Sequence, residues 1–215
     1  VLQANFVISL VKHYVGLFIY GIGVALTVDA AIGIAPWDVL AQGISKQSGL
    51  SFGVSTVVVS ILVLLLWIPL RVRPGIGTIS NAILVGLFAD LALYVLPTPE
   101  PYWQKIAMFI LGMVVISFAT GMYIACGMGK GPRDGLMFGV AQRTKVPFWI
   151  ARSGIELLVV SVGFTLGGQV REGTLLFAIG IGYLNQCYLK DNLFSNHQFS
   201  FQNWRIQSSK RKSHP

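Results

Sequence analysis

Charge is scarce in this chain: Asp, Glu, Lys and Arg make up 11% of its 215 residues, against roughly a quarter in soluble domains. That scarcity excludes a fold solvated by water on all sides. Histidine is rarer still. His13, His197 and His214 fall near the two ends and the cysteines number two, Cys126 and Cys187, so no His/Cys/carboxylate group stands at metal-ligand spacing. Each cysteine lies in an apolar run, where a thiol packs as a small hydrophobe. There is no phosphate-binding loop and no nucleophile motif. The sequence therefore implies no enzyme, no metal and no cofactor. Nucleic-acid binding is excluded as well, because the net charge of +8 comes from loops and tail rather than from a basic groove.

What the chain has instead is apolar length. It is 54% hydrophobic with a mean hydropathy of +0.69, enough for about six spans of about 20 residues with short connections. The spans are expected at about residues 14–31, 52–70, 76–96, 106–125, 148–166 and 174–189. Backbone polar groups in hydrocarbon have no water to bond, and the runs do not alternate as barrel strands would, so the fold class is an all-α membrane protein.

The stretch GIAPWD, Gly33 to Asp38, returns 96 residues later as GKGPRD, Gly129 to Asp134. At the same offset Gly16 meets Gly112, Phe52 meets Phe148, Thr78 meets Thr174 and Gly86 meets Gly182. A duplication with an unbroken register follows. Three units are expected: residues 1–98 and 99–191 as two repeats of three spans each, and 192–215 as a polar, basic cytoplasmic tail. Placing both termini inside leaves only Lys46, Lys105 and Arg171 of the sixteen Lys and Arg residues outside, which sets an N-in, C-in orientation. An odd number of spans per repeat then inverts one half relative to the other, the plan of many secondary transporters.

Each repeat carries, after its first span, a glycine-rich break and a Pro-x-Asp helix start. Gly33 and Pro36 lead to Asp38; Gly129, Gly131 and Pro132 lead to Asp134. Proline suits the first helical turn, and an aspartate there meets the positive end of the helix dipole. The two short helices either enter the membrane from opposite faces as half-helices or lie along its surface as interfacial connectors. Ionisable groups inside spans cost about 2.5–3.5 kcal/mol each and so mark function. Arg152 and Glu156, one turn apart, can pair; Arg133 brings a cation to the second helix start; Asp90 is a possible secondary group. Asp29 and Asn81 are expected to be structural.

The runs GIAPWDVLAQGIS (Gly33 to Ser45), RPGIGT (Arg73 to Thr78) and GPRDGLM (Gly131 to Met137) resemble the bacterial YczE-like membrane proteins, related to the wider YitT group. The resemblance implies a multi-pass protein of the bacterial cytoplasmic membrane with five or six helices. It implies no particular activity. The residues themselves point to a small secondary transporter or permease for a small anionic or zwitterionic solute, proton-coupled and working as a homo-oligomer in the lipid bilayer. Its substrate and coupling site is expected to consist of Asp38, Arg133, Asp134, Arg152 and Glu156. The alternative is a non-transporting accessory protein that scaffolds a membrane-associated enzyme or export system.

Overall fold

A computed structural model describes the backbone of residues 2–190 and the side chains of residues 6–185; the expected tail, 192–215, lies outside the described residues. The described chain is eight helices and no strands: α1 (Leu2–Asp29), α2 (Pro36–Ser48), α3 (Phe52–Leu70), α4 (Ile76–Val95), α5 (Tyr102–Ala125), α6 (Pro132–Thr144), α7 (Phe148–Thr165) and α8 (Glu172–Lys190). Local chemistry sets the ends. Pro36 and Pro132 open α2 and α6 in their first turns, where the missing N–H is not needed. Ser51 caps α3 by accepting from Val54 N at 3.2 Å, and Gly49 ends α2 in the left-handed conformation.

Among the described residues, five helices are long and apolar enough to cross a membrane: α1, α3, α4, α5 and α7. This differs from the six spans expected. Helix α8 has 19 residues but carries Glu172, Asn185, Gln186 and Lys190, which dilute its apolar character, and it is not among the five. The first helix also begins well before Tyr14. Lys12 and His13 look like the flank of a span in the sequence, yet no Gly or Pro interrupts the helix there, and His13 is buried, edge-on to Tyr14 and Tyr123.

The most extensive packing joins α1 to α5. A methyl group on Gly112 would lie 2.9 Å from the Gly23 carbonyl oxygen, and one on Gly23 would lie 2.9 Å from Ile116 N, so small residues let the two backbones approach. Around this pair, α4 packs on α1 and α8 on α5. The core there runs through Leu17, Val24, Val85, Phe109, Ile116 and Phe177. A second core, with Trp37, Val59, Val63, Trp67, Met137 and Val159, joins α2 to α7 and α3 to α6.

The two halves turn at the same places. All eight described residues with positive φ fall into four pairs 96 positions apart: Ala31 with Gly127, Gly33 with Gly129, Gly49 with Lys145, and Arg71 with Gly167. The bonds between halves are reciprocal too. Gly77 N donates to Met128 O at 3.0 Å, and Gly173 N donates to Ile32 O at 2.8 Å, each atom again matched by its counterpart at the same offset. Gly33 and Gly129, at φ 125° and 139°, face Thr174 and Thr78. A Cβ on Gly33 would lie 2.6 Å from Thr174 N, and one on Gly129 would lie 2.5 Å from the Thr78 hydroxyl.

Gly33→Ala and Gly129→Ala should each lower stability by about 1–3 kcal/mol, combining an unfavourable backbone conformation with a clash. Gly49→Ala, also at positive φ but with open space around it, should cost less. Thermal unfolding of the three variants in one detergent checks this; equal losses would mean that the crowding at Thr174 and Thr78 does not matter.

Candidate functional site

Two short helices bring the site together. The residues before α2, Ala30 to Ala35, are mostly buried, so the chain turns back into the protein after α1 instead of running along its surface. Before α6 the chain is half-buried from Met128 to Lys130 and becomes buried at Gly131, and the first turns of α2 and α6 meet through Arg133 and Asp38. Arg133 Nη2 lies 3.0 Å from Asp38 Oδ1, an ion pair in which Asp38 is 1% exposed. Neither aspartate caps its own helix: the N-cap positions are Ala35 and Gly131, with no side-chain cap bond. Asp38 is committed instead to the opposite helix. Helix α6 is held in place by Trp67, whose buried indole Nε1 donates to Pro132 O at 3.0 Å.

Between the two cores lies a cavity of about 100 Å³, room for a few waters or a small polar group. All five residues expected to form the substrate and coupling site line it: Asp38, Arg133, Asp134, Arg152 and Glu156. Arg152 Nε donates to Glu156 Oε1 at 2.9 Å along one face of α7. The opposite wall, from α3, presents Thr56 and Ser60, the positions that match Arg152 and Glu156 in the first half. The cavity thus sits where the two halves meet, with one neutral wall and one charged wall.

Sequence reasoning missed several lining residues. Tyr20, Tyr123, Asn81 and Asn185 all face the cavity. Asn81, expected to be structural, is brought there by α4, and the tyrosines sit in apolar runs with nothing to single them out. One signal was present: Asn81 and Phe177 occupy one repeat position, marking a place where the duplication diverges in polarity. Asp90 belongs elsewhere. It is not among the cavity residues; its carboxylate accepts from Ser51 Oγ and, at 2.6 Å, from Gly53 N, so it fastens the start of α3 to α4.

The electrostatics follow from a short inventory. Three carboxylates face two guanidiniums and the N-termini of α2 and α6, each worth roughly half a positive charge. The site is close to balanced while all three acids are ionised. Protonating one of them would free positive charge for an incoming anion, and a guanidinium with its five donors suits a carboxylate or phosphate. Among the described residues, no three His, Cys, Asp or Glu side chains converge to hold a metal ion.

Residues 8–190 match the family of unknown function DUF6198. An uncharacterised protein of Haemophilus influenzae is 40% identical over 173 residues, covering 80% of this chain and 79% of that one. The uncharacterised membrane protein YczE of Bacillus subtilis is 33% identical over 174 residues, covering 80% and 81%. YyaS, an uncharacterised protein of the same organism, is 27% identical over 166 residues, covering 75% and 83%. No solved structure matches the chain. The relatives have no assigned activity, so they bear on kind rather than on chemistry: this chain is a multi-pass membrane protein and belongs to the family of unknown function DUF6198.

Proposed function

We propose that the chain is two inverted repeats of three long helices, each with a half-helix, and that it works as a small secondary transporter for an anionic or zwitterionic solute. The observation that carries this reading is the meeting of two buried helix starts, one from each half, at a charged cavity. Interrupted helices whose N-termini point at the solute are how such carriers bind anions at the interface of their repeats. The inversion is supported by the matched turns at an offset of 96 residues and by the reciprocal bonds Gly77–Met128 and Gly173–Ile32. On this reading α8 serves as the sixth long helix, both termini face the cytoplasm, and no covalent chemistry takes place.

In this scheme Arg152 and Arg133 attract the anionic group. Glu156 exchanges the proton that couples the cycle: taking up a proton loosens its hold on Arg152 and leaves that guanidinium for the solute. Asp38 and Asp134 orient the helix starts and gate the cavity. Release of the Asp38–Arg133 pair separates the two half-helices; its formation seals them.

Purified protein in liposomes, measured on a solid-supported membrane with small organic anions and amino acids under a pH gradient, should give solute-dependent currents. Glu156→Gln mimics the protonated acid and should abolish the proton-driven current while leaving solute exchange at zero gradient. Silence from folded protein across a broad panel would favour the non-transporting accessory role. Breaking the buried pair is a separate test. Asp38→Asn or Arg133→Gln alone should cost about 3–5 kcal/mol of stability, because each leaves a buried charge without its partner. The double variant should cost less than the sum of the two single ones, as thermal unfolding would show; additive losses would mean the two groups are not coupled.

A further inference from the structure

The two halves differ most at one seam. In the first half α3 packs closely along α4: a methyl on Gly53 would overlap the Gly86 carbonyl oxygen, and one on Gly86 would overlap the Gly53 carbonyl oxygen. Asp90 fastens that seam at one end. In the second half α7 and α8 have no comparable packing among the described residues. Trp149 stands at the position of Gly53 and is 68% exposed. Gly182 stands at the position of Gly86 and has nothing within 4 Å of where a Cβ would be. Gly154 of α7 also faces open space, and Ser153, matching half-buried Val57, is exposed.

This opening reaches the cavity. Ala178 of α8 lines the cavity and is itself exposed, whereas its counterpart Ala82 is 2% exposed. Arg152 and Glu156 stand on α7 at the inner edge of the seam, with side chains 30% and 17% exposed. Arg152 bonds Glu156 through Nε, which leaves its two Nη amino groups as donors. Apart from them and Ser153 the seam is apolar, bordered by exposed Leu157, Leu175 and Ile179. The result is a slot with a forked cation at its inner end and hydrocarbon at its outer end.

We propose that this seam is a lateral entrance for a single-chain amphiphile, whose carboxylate or phosphate head docks on Arg152 while its apolar tail lies between α7 and α8 in the bilayer. The inference rests on the reading of the cavity as a solute site and narrows the solute to an anion with a hydrocarbon tail. The slot suits such a molecule because its two ends demand opposite chemistry. A wholly water-soluble anion would leave the apolar seam unfilled, and a neutral lipid would leave the two Nη groups of Arg152 without an anionic acceptor.

The test is photolabelling of the full chain in neutral phosphatidylcholine liposomes with a long-chain fatty acid carrying a diazirine, with label mapped by peptide mass spectrometry. Label should concentrate around Ser153, Gly154, Ala178 and Gly182 over the matched positions Val57, Val58, Ala82 and Gly86. An unlabelled long-chain carboxylate or alkyl phosphate should compete, whereas acetate and inorganic phosphate should not. Arg152→Gln should reduce seam labelling about tenfold, the factor expected from loss of one charge-assisted hydrogen bond. Gly182→Trp keeps Arg152 but fills the seam, and should block label at Ala178. Equal labelling of both seams, or labelling indifferent to both variants, would overturn the proposal. So would an unlabelled seam that cross-links to a second copy of the chain. The transport reading fails separately: seam labelling without any solute-driven current would refute transport and leave the amphiphile site, and current from short anions without seam labelling would do the reverse.

Discussion

Hydrocarbon offers no partner to a backbone N–H or C=O, and this chain breaks its helices twice, at residues 30–35, which are mostly buried, and at 126–131, which are mostly half-buried. The first peptide groups of each break bond back onto the preceding helix, and others find partners in the other half. Ile32 O accepts from Gly173 N, Ile34 N donates to the Thr174 hydroxyl at 3.2 Å, and Met128 O accepts from Gly77 N. Each break is therefore satisfied by the start of the last long helix of the opposite half. These bonds tie each break to the opposite half. The left-handed Gly33 and Gly129 follow from the same constraint, because only a residue without a side chain lets the break lie against the threonine that bonds it.

Turning inward also decides where charge has to go. The first turns of α2 and α6 present the positive ends of two helix dipoles to one buried space. Alanine and glycine at the N-caps offer nothing to them. Negative charge nearby is the remaining compensation, and Asp38 and Asp134 supply it from the third residue of each helix. Two such carboxylates facing each other would repel; Arg133, set between Pro132 and Asp134, reaches across to Asp38 and makes the approach tolerable. The approach of the α2 and α6 helix starts and the polarity of the cavity are thus one problem with one solution.

Much of this was legible in the sequence, and the reasons are specific. The duplicated Gly-rich Pro-x-Asp signal marked both helix starts, and the costly Arg152 and Glu156 stood out because little else in the long apolar runs is ionised. What could not be read was depth. Six residues between α1 and α2 permit either a surface path or a return into the protein, and only the partners at Thr174 and Gly173 distinguish them. Asp90 looked like a cavity group because a carboxylate in a span is conspicuous, yet its partners Ser51 and Gly53 lie 37 to 39 residues away in sequence and carry no mark of their own. Tyr20, Tyr123 and Asn81 went unnoticed for the opposite reason: each is an ordinary residue of an apolar helix until the fold aims it at the cavity. The length of α1 was underestimated because Lys12 and His13 imitate a membrane flank.

The pattern of divergence between the halves separates architecture from chemistry. Positions that serve the backbone have kept their identity: Gly33 and Gly129, Pro36 and Pro132, Asp38 and Asp134, Thr78 and Thr174. Positions that face the cavity without holding the backbone have changed, Trp37 to Arg133, Thr56 to Arg152 and Ser60 to Glu156. Every cation of the site and two of its three acids therefore belong to the second half, while the first contributes Asp38 and a neutral wall. The seams follow the same division. Close approach of α3 and α4 needs Gly53 and Gly86 together, and a tryptophan at the position of Gly53 cannot enter such a contact, so the second half is held open along the side that carries the charge. A symmetric frame with an asymmetric lining is what a duplicated chain reaches when one set of positions must satisfy peptide groups and the other is free to acquire a specific site.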